Sequence, residues 1–289
     1  MEYPSLTAEH VAYQRAVETM KPEGIRVCND PYAKHFLSEK FISLLSNSDR
    51  LKNKSRQISK QIRGIYGAIV ARVRYFDEYL GKCLNDNLQQ LVILGAGYDT
   101  RAYRLISLEC GIRIFEVDQP ATQSYKKKIL KTISQPIDRN ITYVPVVLGK
   151  DDLGAELKKN GYDAIKKTLF ILEGVTMYIP KAIFNETLAF IASDSGYGSS
   201  IIFDYFPPEV YQGTSEIVEA SVLRQRVREY GEVFKFGIEP EHIEALLNGI
   251  GFRNVVTMPA KRCKIKYFKG INKNLPVSEI FHFVHATVK

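Results

Sequence analysis

The chain is short of the features that mark membrane spans, disulfide scaffolds and metal centres. No apolar run approaches the roughly 18 residues a membrane-spanning helix needs, so no span is expected and no membrane partner. The first 21 residues carry Glu2, Glu9 and Glu18 and have no apolar core, which argues against a signal peptide. Only four cysteines occur, Cys28, Cys83, Cys110 and Cys263. They lie too far apart in sequence to suggest a metal-binding pair, and reduced thiols in a cytoplasmic protein are the expectation. The five histidines, His10, His35, His242, His282 and His285, show no ligand spacing. His282 and His285 are separated by an odd number of residues and would face opposite sides of a strand. Internal repeats and low-complexity tracts are absent as well.

What is present suits one large α/β domain. The 289 residues are 45% hydrophobic and carry a net charge of +8, enough to bury a substantial core. Basic residues are scattered, with short clusters only at Lys126 to Lys128 and Lys261 to Lys269. That pattern reads as solvated faces rather than a nucleic-acid footprint. The same field would draw in an anionic acceptor.

The stretch from Leu91 to Asp118 organises the rest. The apolar run Leu91 to Leu94 ends in Gly95, Ala96, Gly97, Tyr98, Asp99, Thr100, Arg101, and a second run, Ile112 to Val117, ends in Asp118. This predicts strand, glycine turn, helix, strand, and a carboxylate at the second strand's C-terminal end, where open parallel sheets bind ligands. Asp118 follows Gly97 by 21 residues, near the roughly 20 expected of an acid that holds a ribose. A nucleoside cofactor follows. A dinucleotide turn has a third glycine where this chain has Thr100, and Asp99 and Glu116 add negative charge. A pyrophosphate would be repelled there, whereas a cationic sulfonium would not, so S-adenosyl-L-methionine fits better than a nicotinamide dinucleotide.

Around this unit, residues 5–20 predict a helix with Thr7 as N-cap, and Asp30-Pro31-Tyr32-Ala33 another, with Pro31 at its first position and Phe36 and Leu37 inward. Residues 46–63 are polar and basic and suggest a cover segment. Residues 64–80 form a helical pattern carrying Arg72, Arg74, Tyr75 and Asp77. Helices are expected at 101–110, 121–133, 151–160, 181–194 and 241–247. Strands are expected at 141–148, 167–175, 199–205, 254–258 and 279–288, the last two as an antiparallel edge around a basic loop. The alternation gives a doubly wound, mostly parallel, seven-stranded sheet. Residues 1–85 would form an N-terminal helical cover, 86–289 a Rossmann-like core, and 207–236 an inserted substrate cover.

Three motifs, Leu-Gly-Ala-Gly-Tyr-Asp-Thr-Arg-Ala-Tyr-Arg (94–104), Phe-Glu-Val-Asp-Gln-Pro (115–120) and Leu-Glu-Gly-Val-Thr-Met-Tyr-Ile-Pro (172–180), resemble the leucine carboxyl methyltransferase family. The nearer likeness is to its bacterial and archaeal branch of S-adenosyl-L-methionine-dependent O-methyltransferases. The resemblance implies a class I methyltransferase fold. It implies that Arg72 pairs with the methionyl carboxylate, that Gly95, Ala96 and Gly97 lie against the methionyl part, and that Asp118 holds the ribose while Gln119 borders the adenosine. Glu173 would face the amino-acid moiety and Tyr178 would shape the methyl-transfer pocket. The family's third strand often ends with an acid near the adenine amino group. Here Val147 stands in that place, with Leu148 and Asp151 as the nearest candidates.

The expected reaction is methyl transfer to a carboxylate or hydroxyl of a small molecule, leaving S-adenosyl-L-homocysteine. A carboxylate nucleophile is already ionised at neutral pH and needs no base; a hydroxyl needs one. A nucleic-acid methyltransferase is the alternative that the basic charge raises. The Asn/Asp-Pro-Pro-Tyr/Phe signature of base-amino methylation is, however, replaced by Glu173-Gly174-Val175-Thr176, and Asp204-Tyr205-Phe206-Pro207-Pro208 follows the fifth strand instead. A non-catalytic binding protein of the same fold is the alternative that Val147 raises.

Overall fold

The computed structural model describes residues 5–46, 60–106, 111–133 and 141–289. Seven strands form one sheet: β1 (Gln90–Leu94), β2 (Arg113–Asp118), β3 (Ile141–Pro145), β4 (Thr168–Leu172), β5 (Ser200–Tyr205), β6 (Phe252–Pro259) and β7 (His282–Val288). Their spatial order is β3-β2-β1-β4-β5-β7-β6. The first five strands pair in parallel, and β7 runs antiparallel to both β5 and β6. The chain reverses direction between β1 and β4, the switch point at which such sheets open a crevice.

Strand alternation divides the core into two layers. Leu91 and Ile93 of β1 face one apolar cluster and Val92 and Leu94 the other, as the two-residue strand period requires. Every residue of β4 and β5 is buried, which is why these strands read as nearly continuous apolar runs. The long helix α3 (Lys60–Asn85), which follows α1 (Leu6–Thr19) and α2 (Glu39–Ser46), covers one face. Its Ile65, Ile69, Arg72, Phe76 and Leu80 are all buried and recur at three- and four-residue steps, one stripe of a helix.

Several local expectations change. The N-cap of α1 is Ser5, whose Oγ accepts the Ala8 amide at 3.1 Å; Thr7 instead donates to Glu232. Asp30 does not start an α-helix. Its Oδ1 accepts the amides of Tyr32 and Ala33, each at 3.1 Å, and a 3₁₀ turn follows over Ala33–Phe36. The aspartate side chain satisfies those amides locally, in competition with a helix start. Phe36 and Leu37 are buried as expected. The helix after the glycine turn, α4, spans Arg101–Arg104, and the remainder of the predicted 101–110 helix includes residues outside those described. The same holds for most of the 46–63 segment, whose last residues, from Lys60, belong to α3.

Next come α5 (Pro120–Thr132), α6 (Leu153–Lys159) and α7 (Lys181–Ser193). The 207–236 insertion holds α8 (Pro208–Gln212) and α9 (Val218–Glu229). After α10 (Ile243–Ile250), β6 is the sheet edge, and the expected basic loop before β7 contains α11 (Ala260–Tyr267) and a 3₁₀ turn, Gly270–Asn274.

Candidate functional site

The turn after β1 is built by its glycines. Gly95 has φ +64° and Gly97 φ +40°, a region that side chains with a Cβ rarely occupy. A Cβ on Gly95 would sit 2.4 Å from Val175 Cγ2, so the turn also packs tightly on the chain leaving β4. The Ala96 amide donates to Val117 O at 3.0 Å, tying the turn to the end of β2. There the Asp118 carboxylate accepts the amide of Gly97 through Oδ2 and that of Gln119 through Oδ1, the latter at 2.6 Å. Burial raises the pKa of Asp118 above the ordinary carboxylate value, and these two amides pull it back.

Arg72 and Glu173 meet beneath this turn. Arg72 donates from Nε to Glu173 Oε1 at 3.1 Å and from Nη1 to Asp204 Oδ2 at 2.7 Å. The Gly174 amide donates to Asp204 Oδ1 at 2.6 Å. Arg101 completes the cluster: Nη1 lies 2.5 Å from Asp99 Oδ2, Nη2 2.5 Å from Glu173 Oε2 and Nε 2.8 Å from Asp77 Oδ1. Arg104 pairs with the other Asp77 oxygen at 2.6 Å. Three guanidiniums thus hold four carboxylates, all nearly buried. Burial alone would raise Asp99, but Arg101 above all, then Lys126 and the Arg101 amide, hold it down at about 2. Burial likewise works against the charged form of Arg72, and Asp204 and Glu173 more than restore it, raising its pKa.

Arg72, Asp99 and Glu173 of this cluster, with the glycine turn, edge a cavity of ≈ 680 Å³, within the range of small-molecule sites; Asp77, Arg101, Arg104 and Asp204 do not line it. Of the residues singled out in the sequence, Arg72, Gly95, Ala96, Gly97, Asp118, Gln119, Leu148, Glu173 and Tyr178 all line it. Asp151 does not. Its Oδ2 accepts the Val147 amide at 2.7 Å, so its carboxylate folds back onto the local backbone. Helix α1 and the 207–236 insertion close the other side through Val11, Leu223 and Val227, with Tyr230 stacked on His10 at 4.2 Å. Glu232 clasps the start of α1, accepting Ser5 Oγ at 3.1 Å and Thr7 Oγ1 at 2.9 Å. Tyr178, in the 3₁₀ turn Thr176–Tyr178 after β4, sits 5.3 Å from the Phe234 ring; burial raises the pKa of its phenol.

Sequence reasoning missed Asp204, Arg101 and Glu232 as parts of this site. Asp204 had a readable signal, an acid inside the otherwise apolar strand β5, the same signal that singled out Glu173. Glu232 had none, because its partners lie more than two hundred residues earlier. Among the described residues no group of His, Cys, Asp and Glu could hold a metal ion. His282 and His285 stack on Tyr205 and Tyr79, at 5.4 Å and 4.1 Å.

A seven-stranded sheet with one reversed strand, and a glycine-turned, carboxylate-edged cavity at its switch point, define the class I methyltransferase fold. A protein from Thermobifida fusca YX, described as a methyltransferase, has a solved structure of this kind. It matches with a TM-score of 0.57 over 100% of this chain and 96% of its own, at 13% identity. Among sequence relatives, YktD of Bacillus subtilis, named as an S-adenosyl-L-methionine-dependent methyltransferase, is 30% identical over 99% of this chain and 98% of its own. A Mycobacterium avium protein of the same description is 27% identical over 86% of this chain and 82% of its own. The sequence profile of leucine carboxyl methyltransferase matches residues 8–192. The chain belongs to the leucine carboxyl methyltransferase family.

Proposed function

We propose that the protein is an S-adenosyl-L-methionine-dependent O-methyltransferase that methylates a carboxylate or hydroxyl of a small molecule and releases S-adenosyl-L-homocysteine. The observation that carries this reading is the convergence of Asp118, the Gly95–Gly97 turn, Glu173 and Tyr178 on one cavity, whose far wall mixes apolar side chains such as Val11, Leu223 and Val227 with the charged Arg226, Glu232 and Lys235.

The residues present fit the cofactor. Gly95, Ala96 and Gly97 present the turn to the cavity, and Asp118 is fixed by two amides at the strand end where a ribose is held. Bound S-adenosyl-L-methionine supplies an electrophilic methyl group on a cationic sulfonium. Asp118 accepts the ribose hydroxyls, Gln119 and Leu148 border the adenosine, and the Gly95-Ala96-Gly97 backbone lies along the methionyl part. Glu173 faces the cofactor's amino group. Arg72 offers its field to the methionyl carboxylate while it holds the side chains of Glu173 and Asp204 in place. Asp151, committed to the Val147 amide, is left out of this set. Tyr178, Phe206 and Phe234 shape the acceptor side, where orientation and exclusion of water supply much of the acceleration.

Calorimetric titration with S-adenosyl-L-methionine and S-adenosyl-L-homocysteine, beside the Asp118→Ala variant, tests the cofactor half. Saturable one-to-one binding that the variant loses or weakens at least tenfold is expected. No binding to the wild-type protein at millimolar ligand overturns the reading. Transfer of labelled methyl to panels of acids and alcohols then tests the acceptor half, and base-labile label marks an ester product.

A further inference from the structure

The segment from Ala260 to Asn274 stands apart from the cavity and has a chemistry that methyl transfer leaves unexplained. Between residues 260 and 278 the chain carries six cations, Lys261, Arg262, Lys264, Lys266, Lys269 and Lys273, and no acid. Lys261 and Lys266 are paired, with Glu279 and Glu78, each at 2.5 Å. The other four make no ion pair among the described residues.

The helix α11 displays Lys261, Arg262 and Lys266 on one side, with Lys264 half-buried, and Lys269 and Lys273 follow it, both exposed. Ala260, Cys263 and Phe268 are buried, which turns Lys261, Arg262, Ile265, Lys266 and Lys269 to solvent. Ile265, in the middle of these cations, is 90% exposed. The following 3₁₀ turn holds out a second isoleucine, Ile271, 73% exposed. This exposure is built in. Its neighbour Asn272 is buried and anchored, donating to Ile25 O at 2.7 Å and accepting from Lys21 Nζ at 3.0 Å. Met20, adjacent to that lysine, is itself 61% exposed. Single exposed apolar residues are ordinary. Three large ones, on or beside a cationic and acid-free segment, are a different pattern.

We infer that this face, α11 with the Gly270–Asn274 turn, is a docking surface for an anionic lipid bilayer, with Ile265 and Ile271 entering the headgroup boundary. Lysines and arginines near an anionic leaflet are each attracted, and apolar side chains among them gain from burial in the interface. The complementarity selects lipid over nucleic acid. A phosphate backbone would reward the cations but give the isoleucines nothing, and neither aromatic ring here is free to stack bases: Phe268 is buried, and the half-buried Tyr267 donates to Glu78 at 2.8 Å with Lys266 over its ring. Surface attachment is compatible with the absence of a span: among the described residues no helix is long and apolar enough to cross a membrane.

The test is sedimentation of the full chain with vesicles of phosphatidylcholine alone and of phosphatidylcholine mixed with phosphatidylglycerol, at low and high salt. Three proteins are compared: wild type, Ile265→Ser/Ile271→Ser, and Arg262→Glu/Lys269→Glu. These positions are exposed, and circular dichroism checks that the variants fold. The expected result is binding to the anionic vesicles only, weakened by salt, and reduced at least tenfold in both variants. Three results overturn the inference. One is no binding to anionic vesicles, and another is equal binding to both vesicle types. The third is binding that the isoleucine variant leaves unchanged, which, with displacement by duplex DNA, would mark a plain polycationic face.

Discussion

Replacing Arg101 with methionine removes a guanidinium that touches three acids, and the size of the loss can be worked from the site. Arg101 is 1% exposed and ion-paired with Asp99, Glu173 and Asp77. Breaking a buried pair by removing one partner costs about 3–5 kcal/mol, because an uncompensated charge remains. Asp99 alone accounts for part of this. Its pKa is held at about 2 against an ordinary 3.8, a difference that corresponds to about 2 kcal/mol at neutral pH. The sign is that of a depressed acid. The stability is fully present above about pH 4 and is lost as pH falls through 2. The variant lacks this contribution, so its deficit relative to wild type is largest at neutral pH and shrinks as acid neutralises Asp99 and its neighbours. Urea unfolding at pH 7 and at successive steps down to pH 3 measures it. A domain's total stability is about 5–15 kcal/mol, so the loss is readily seen. A deficit below about 1 kcal/mol at pH 7, or one that stays constant down to pH 3, would refute the reasoning.

Three further outcomes are expected. Gly95→Ala places a methyl against Val175 and a Cβ at positive φ, so cofactor binding should fall below detection by calorimetry. A second change, Val175→Ala, should recover folding more than binding, since αL strain of about 1–2 kcal/mol persists; full recovery of affinity would contradict this. Lys126→Met leaves Glu116 alone in the core. Burial already pushes that carboxyl up to about 7 against the opposing pull of Lys126, and the 2.7 Å pair is 1% exposed on both sides. Its folded-state pKa exceeds the unfolded one, so the associated stability is present below about pH 4.5 and is lost as pH rises through 7. The single variant should lose about 3–5 kcal/mol at pH 8, and Lys126→Met/Glu116→Leu should regain most of it in thermal melts. Glu232→Ala removes the clasp on Ser5 and Thr7. Hydrogen exchange should quicken at the start of α1, and cofactor dissociation should speed up severalfold in stopped flow; unchanged exchange there would show that the clasp contributes nothing.

The sequence by itself determined the sheet, the turn and the acid at the end of β2, because each is written in local chemistry. Two-residue and three-to-four-residue apolar periods fix strands and helices wherever an element has one buried face, as in β1 and α3. Gly95 and Gly97 are needed by the backbone of the turn itself, and Asp118 follows by its place at a strand end. Asp30 and Thr7 show where local reading falls short: several polar side chains near a helix start can cap it, and only the surrounding contacts choose Ser5. Tertiary structure alone decided the charge arrangement. Arg72 and Asp204 are 132 residues apart, and Thr7 and Glu232 are 225 apart; no spacing rule reaches across such distances. Which acids a buried arginine compensates depends on where packing of the two layers sets the helix α3 against the strand ends. Those desolvated pairs, rather than any motif, set the charge arrangement of the site.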